Sequence, residues 1–181
     1  AFEESPEQLI RNMRSIGIDL EQWVGRGLLR IRAERPQHTG LEMHLVRMNR
    51  EIEEFSPTVA AFDPMTALGS VGSDTSIRAM LTRLIDAMKA RQVTALFTSL
   101  TETGHYAEST DIGVSSLMDT WVLVRNVEAG VRRIRGVYVL KSRGMAHSNE
   151  IRELVLSDGG VDLLDLPSGV DPSLAAAPAQ P

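Results

Sequence analysis

Apolar residues fall into helical spacing in the first half of this chain and into strand-like alternation in the second. Leu9, Met13 and Ile16 share one face of a segment that opens at Ser5-Pro6 and stops at Gly17. Ser5 and Gln8 have the spacing of a capping box, and Pro6 suits the first helical position. A short helix capped by Asp19 follows, expected to bury Leu20, Trp23 and Val24, and then a short strand over 28–32. Leu41, Leu45, Met48, Ile52 and Phe55 recur at helical intervals and predict an amphipathic helix over 40–55. Ile77, Met80, Leu81, Leu84, Ile85 and Met88 predict another over 76–91. The runs 58–63 and 93–100 are short and nearly all apolar, as strands buried on both faces of a parallel sheet are.

After residue 119 the pattern changes. Strands are expected over 120–128, 131–142, 151–157 and 161–164, with turns at Ala129-Gly130 and Asp158-Gly159-Gly160. Such short connections make antiparallel neighbours. The fold class is therefore α/β, a parallel sheet flanked by helices and extended by antiparallel strands. Residues 1–166 are expected to be the C-terminal part of one domain. Residues 167–181 carry four of the eight prolines, three consecutive alanines and one charge, Asp171, and read as a flexible Pro/Ala-rich tail. Ala1-Phe2-Glu3-Glu4 reads as the end of a strand, so the chain is expected to be a piece of a larger protein.

Composition narrows the function. Nineteen Lys and Arg against 24 Asp and Glu give a net charge of -5, which argues against broad binding to nucleic acid or anionic membranes. The absence of cysteine excludes disulfides, zinc–thiolate sites and thiol catalysis. No apolar run approaches the ~20 residues of a membrane span, and no signal peptide is visible, so a cytoplasmic location is expected.

Several residues carry candidate chemistry, each with a plainer alternative. Asp63 ends a buried-type strand, where a carboxylate can hold Mg²⁺ directly or through water; taken in isolation, an Asp-Pro pair is better read as a cap on the turn before Pro64. Adjacent Glu3 and Glu4 can raise one another's pKa and supply a base, or can simply complement a helix N-terminus. Lys141, Arg143 and His147 gather around Gly144 in a loop suited to phosphate oxygens, or in a solvated turn. Arg132, Arg133 and Arg135 read as a wet strand face. The four histidines have no metal-ligand spacing, and G-x-x-x-x-G-K-[ST] does not occur.

Taken together, these segments resemble the KaiC family of RecA-like P-loop ATPases. The resemblance is carried by Phe2-Glu3-Glu4-Ser5 with the following helix, by Gly40-Leu41-Glu42 with His44-Leu45, by Asp63, and by Lys141-Ser142-Arg143-Gly144 with His147. It covers residues 1 to about 165. It implies a RecA-like core lacking its first strand and P-loop, which are expected upstream of Ala1. Around Gly40 and Ser115-Ser116 the wording is closer to the family's second, kinase-type repeat.

The resemblance implies roles as well. Glu3 and Glu4 inherit the paired glutamates that supply the general base, and Asp63 the aspartate that supports Mg²⁺. Lys141, Arg143 and His147 would reach ATP bound by the adjacent subunit of a homohexameric ring. Ser115 and Ser116 fall on the autophosphorylated positions, with Thr110-Asp111 beside them. Read alone, the two serines are turn residues. The activity implied is that of an ATPase and serine/threonine autokinase in a circadian clock or related signalling role, with KaiB-like or other signalling partners. The sequence after Leu166 departs from the family's KaiA-contacting segment, which weighs against a KaiA partnership. The competing readings are a non-catalytic oligomeric scaffold and a RecA-type DNA-dependent ATPase. The intact acidic and cationic set counts against the first, and the acidic balance against the second.

Overall fold

The computed structural model describes residues 1–100, 116–129 and 132–166, which divide into two units. The expected tail over 167–181, Thr110-Asp111 and Ser115 lie outside the described residues.

The first unit holds residues 1–14 and 19–100, with Ser116 and Leu117. Helix α1 spans Pro6–Arg14 and opens with the capping box read from sequence. The Ser5 N–H donates to Gln8 Oε1 (3.0 Å), and the Gln8 N–H donates to Ser5 Oγ (3.3 Å). Helix α2 spans Glu21–Gly25, and Asp19 Oδ1 accepts from the Glu21 N–H (3.1 Å). The expected burial of Trp23 and Val24 is not found: both are about 40% exposed, and the Arg26 guanidinium lies over the Trp23 ring. One five-residue turn is too short to cover a large ring, so an arginine from the next turn shields it.

Helix α3 spans Leu41–Phe55 and helix α4 Asp74–Ala90. Ser73 caps α4 by accepting from the Ser76 N–H. All six apolar positions expected to face inward from α4 are buried, and Ile77, Met80, Leu81 and Leu84 are wholly inaccessible. Each such side chain stabilises the fold by about 1.5–3 kcal/mol. Strands β1 (Val59–Phe62) and β2 (Thr94–Phe97) pair in parallel, placing Phe62 beside Phe97 with rings stacked 4.9 Å apart.

Among the described residues these strands are covered on one face. Phe62 is buried and Ala60, Ala95 and Phe97 are half-buried, whereas Val59 and Leu96 are more than half exposed. The apolar runs are real, but only alternate residues meet the helical layer.

The strand expected over 28–32 does not form. Leu29 and Ile31 are half-buried while Arg30 and Arg32 face outward and clasp Glu51 of α3 (3.2 and 2.9 Å). Arg30 also lies over the Phe55 ring. Side chains rather than a ladder thus hold this segment until residue 32. There the Arg32 carbonyl accepts from the Ala1 amino group (2.7 Å), and the Glu34 N–H donates to the Ala1 carbonyl (3.0 Å). That is the bonding pattern of a parallel pair.

The second unit contains residues 15–18 and, among those described, 118–166. Strands β3 (Thr120–Ala129), β4 (Arg132–Ser142), β5 (Arg152–Ser157) and β6 (Gly160–Asp165) form an antiparallel sheet in sequential order, as expected. Among the described residues, Leu123 and Ile134 are its buried apolar ones. Arg132, Arg133 and Arg135 are exposed, the wet face anticipated. Gly17 has φ +77°, and a Cβ there would lie 2.2 Å from the Asp158 carbonyl oxygen. Glycine is therefore demanded twice, by conformation and by space.

Candidate functional site

The carboxyl ends of the parallel strands gather three of the candidate residues. Asp63 directly follows β1 and is exposed. The Phe2 N–H donates to the Asp63 carbonyl (2.8 Å), which brings the Glu3-Glu4 segment to the same end of the sheet. Phe2 itself is buried and meets the His44 ring edge-on at 6.0 Å. This anchor leaves Glu3 exposed on the rim of a cleft of about 380 Å³, which Arg35, Gln37, Thr66 and Ser70 also line. Glu4 is half-buried and accepts from Asn12 Nδ2 (2.8 Å), a side chain two turns along α1. The two adjacent carboxylates thus differ: one is open and one is oriented.

Asp63 also has a partner that sequence reading did not find. The Thr98 hydroxyl, just past β2, donates to Asp63 Oδ1. The Thr98 backbone repeats the link: its N–H donates to Phe62 O (3.0 Å), and its carbonyl accepts from the Met65 N–H (2.8 Å). The loop carrying Asp63 is thereby tied to the neighbouring strand at three points. Thr98 occupies the strand end beside that of Asp63, and that position was the one available signal.

A second residue, to which the sequence assigns no role of its own, is buried behind this segment. His44 of α3 is 2% exposed. Its Nε2 lies 3.1 Å from both the Pro36 carbonyl and Thr39 Oγ1. A carbonyl can only accept, so Nε2 carries the proton. His44 Nδ1 is 3.7 Å from the Glu34 carboxylate, which Arg47 also pairs. In the structure His44 is the buried polar centre of the segment that faces Phe2.

The second unit carries the cationic loop. Lys141 and Ser142 end β4, with Lys141 half-buried opposite Trp121. The Ser142 hydroxyl meets that of Thr120 (2.9 Å), and the Arg143 N–H donates to the Asp119 carbonyl (2.8 Å). Gly144 then takes φ +71°, turning the chain. The Arg143 side chain and His147 are exposed. Ser116 is described, and its hydroxyl accepts from Arg78 Nη2 of α4 (3.1 Å).

Among the described residues no cluster of three or more His, Cys, Asp or Glu could cage a metal ion. Asp63, with a threonine hydroxyl on one oxygen, offers instead a single hard donor at the strand end. Such a donor fits Mg²⁺, which keeps several waters and takes one or two carboxylates together with substrate phosphates.

A parallel α/β layer with acidic residues at its strand ends, followed by an antiparallel sheet, is the RecA-like arrangement of P-loop ATPases. The family described as "ATPase: KaiC" matches residues 1–168. The chain belongs to the KaiC ATPase family. It is 42% identical to Circadian clock protein KaiC2 of Synechocystis sp. over 167 residues, covering 91% of this chain and 29% of that protein. Circadian clock protein KaiC3 of the same organism is 38% identical over 164 residues, covering 90% of this chain and 32% of that protein. The circadian clock oscillator protein KaiC of Synechococcus elongatus is 36% identical over 166 residues, covering 91% and 32%. The chain thus spans about a third of the length of these relatives. Among the described residues no helix is long and apolar enough to cross a membrane.

Proposed function

We propose that this chain is part of an ATP-hydrolysing serine/threonine autokinase of the KaiC type, acting in a cytoplasmic clock or signalling assembly. The observation that carries the reading is the Phe2 N–H to Asp63 carbonyl bond, which sets paired glutamates beside a strand-end aspartate. Asp63 would hold Mg²⁺, which neutralises phosphate charge when bound. Glu3 and Glu4 supply the base, with Asn12 fixing the orientation of Glu4. Lys141, Arg143 and His147 act on the nucleotide of a neighbouring subunit in a homohexameric ring.

The transfer balances as follows. Ser115 or Ser116 Oγ forms a bond to the γ-phosphorus of ATP. The bond from that phosphorus to the β,γ-bridging oxygen breaks and ADP leaves. The serine proton passes to a glutamate. The chain contains no P-loop motif, so by itself it turns over little ATP.

The full-length protein incubated with Mg-ATP should acquire phosphate on Ser115 or Ser116, read by peptide mass spectrometry. The Glu3→Gln/Glu4→Gln variant should lose it. Phosphate confined to other residues, or unchanged in that variant, would remove the kinase reading.

A further inference from the structure

Three basic residues on or just beyond α4 make contacts through their guanidinium groups. Arg83 grips the Glu42 carboxylate with two bonds of 3.1 and 2.5 Å. Arg91, which caps the helix, pairs with Glu53 at 2.5 Å. Arg78 reaches a hydroxyl, donating from Nη2 to Ser116 Oγ at 3.1 Å. The backbone that presents Arg78 is fixed. Its neighbour Ile77 and the next-turn Leu81 are wholly buried, and the Arg78 carbonyl accepts from the Thr82 hydroxyl (2.9 Å).

We propose that Arg78 is the phosphate-binding residue of Ser116, holding the hydroxyl before modification and the phosphoryl group after it. The proposal rests on the reading of Ser116 as a phosphorylated residue. A serine hydroxyl offers the guanidinium one oxygen on a rotatable bond. A phosphate on the same Oγ adds three strong acceptor oxygens and a charge of about -1.5 to -2. The planar fork of five N–H donors then has two parallel acceptors to engage, and the bonds become charge-assisted. The contact changes from a single neutral-acceptor bond to a two-pronged ion pair without moving the helix. Because α4 carries six buried apolar residues of its unit, phosphate at 116 ties that point of the chain to a core helix. Arg78 thereby links the chemical state of Ser116 to the core.

The test supplies the phosphate without the kinase. Phosphoserine is incorporated at position 116 during translation of the full-length protein, and its second ionisation is followed by ³¹P NMR. A free phosphoserine titrates near pH ~6, and an adjacent guanidinium favours the dianion. The midpoint should fall by about one pH unit with Arg78 present. It should return to about 6 in Arg78→Gln and lie between in Arg78→Lys. A merely structural role for Arg78 would leave the midpoint unmoved. Equal midpoints in all three proteins would overturn the proposal. If Arg78→Gln fails to fold, the Arg78→Lys comparison alone decides, since a point charge cannot reproduce the two-pronged contact. Failure of autophosphorylation with Mg-ATP is read separately and leaves this result standing.

Discussion

Replacing His44 by alanine removes the buried polar centre behind Phe2, and the cost can be worked from its contacts. Nε2–H is the donor to the Pro36 carbonyl (3.1 Å), and Pro36 is itself buried. Leaving a buried carbonyl unsatisfied costs about 1–3 kcal/mol. Losing most of an imidazole opens a void of roughly 60 Å³, worth ~1.5 kcal/mol at ~24 cal/mol per Å³. The edge-on contact with Phe2 disappears as well. Together these come to about 2.5–4.5 kcal/mol, or a fall in Tm of roughly 10 °C for a domain of this size. His44→Gln places an amide N–H near the lost Nε2 and should recover about a third of that loss. Thermal melts followed by circular dichroism would read both variants. A Tm for His44→Ala within about 2 °C of the parent would refute the buried-donor reasoning. So would a glutamine variant no more stable than the alanine one.

Two other perturbations have directions fixed by the structure. Gly17→Ala should destabilise by more than about 3 kcal/mol, because it combines a left-handed backbone with a methyl 2.2 Å from the Asp158 carbonyl. Urea unfolding checks this, and Gly17→Asn should fare no better because its Cβ meets the same oxygen. The Glu51 carboxyl is held below the usual carboxylate range, chiefly by its hydrogen bond from Arg32 and against an opposing effect of burial. Its folded pKa lies below the unfolded one, so its stabilisation is complete above the unfolded pKa and is lost as pH falls through the folded value. Glu51→Gln should flatten the acid limb of stability below about pH 4.5 and leave the slope near pH 7 unchanged.

The helical layer was legible in the sequence because its signals are local. The inward stripe of α4 runs from Ile77 to Met88, about three turns, and every residue in it is buried. The capping box of α1 spans four consecutive residues and forms as written. The strands were legible as strands, not in their burial. Val59 and Leu96 are as apolar as their neighbours, yet they lie on the uncovered face, and a run of identical polarity cannot say which face is covered. Residues 28–32 failed for a related reason: alternation of Leu29 and Ile31 with Arg30 and Arg32 fits a strand, but the arginines found Glu51 on α3 instead. Pattern fixes periodicity, and a ladder also needs a partner.

The candidate site divides along the same line. The types of its residues were visible: a strand-end aspartate, paired glutamates, a cationic loop around Gly144. Their connections were not. Thr98 and Asp63 are 35 residues apart, and Arg78 and Ser116 are 38 apart. Neither pair has a spacing that any helix or turn would make meaningful. The bond that sets Glu3 and Glu4 beside Asp63 is harder still to foresee, because it joins the backbone of Phe2 to the backbone of Asp63. A parallel ladder is built from N–H and C=O groups that every non-proline residue possesses. What residue identity does record is the consequence. Phe2 must be apolar because it is buried against His44, and the residues after it are free to be acidic because the pairing lets them emerge at the open end of the sheet. The chemistry of the site is therefore written in side chains, and its geometry in the one part of the chain that all sequences share.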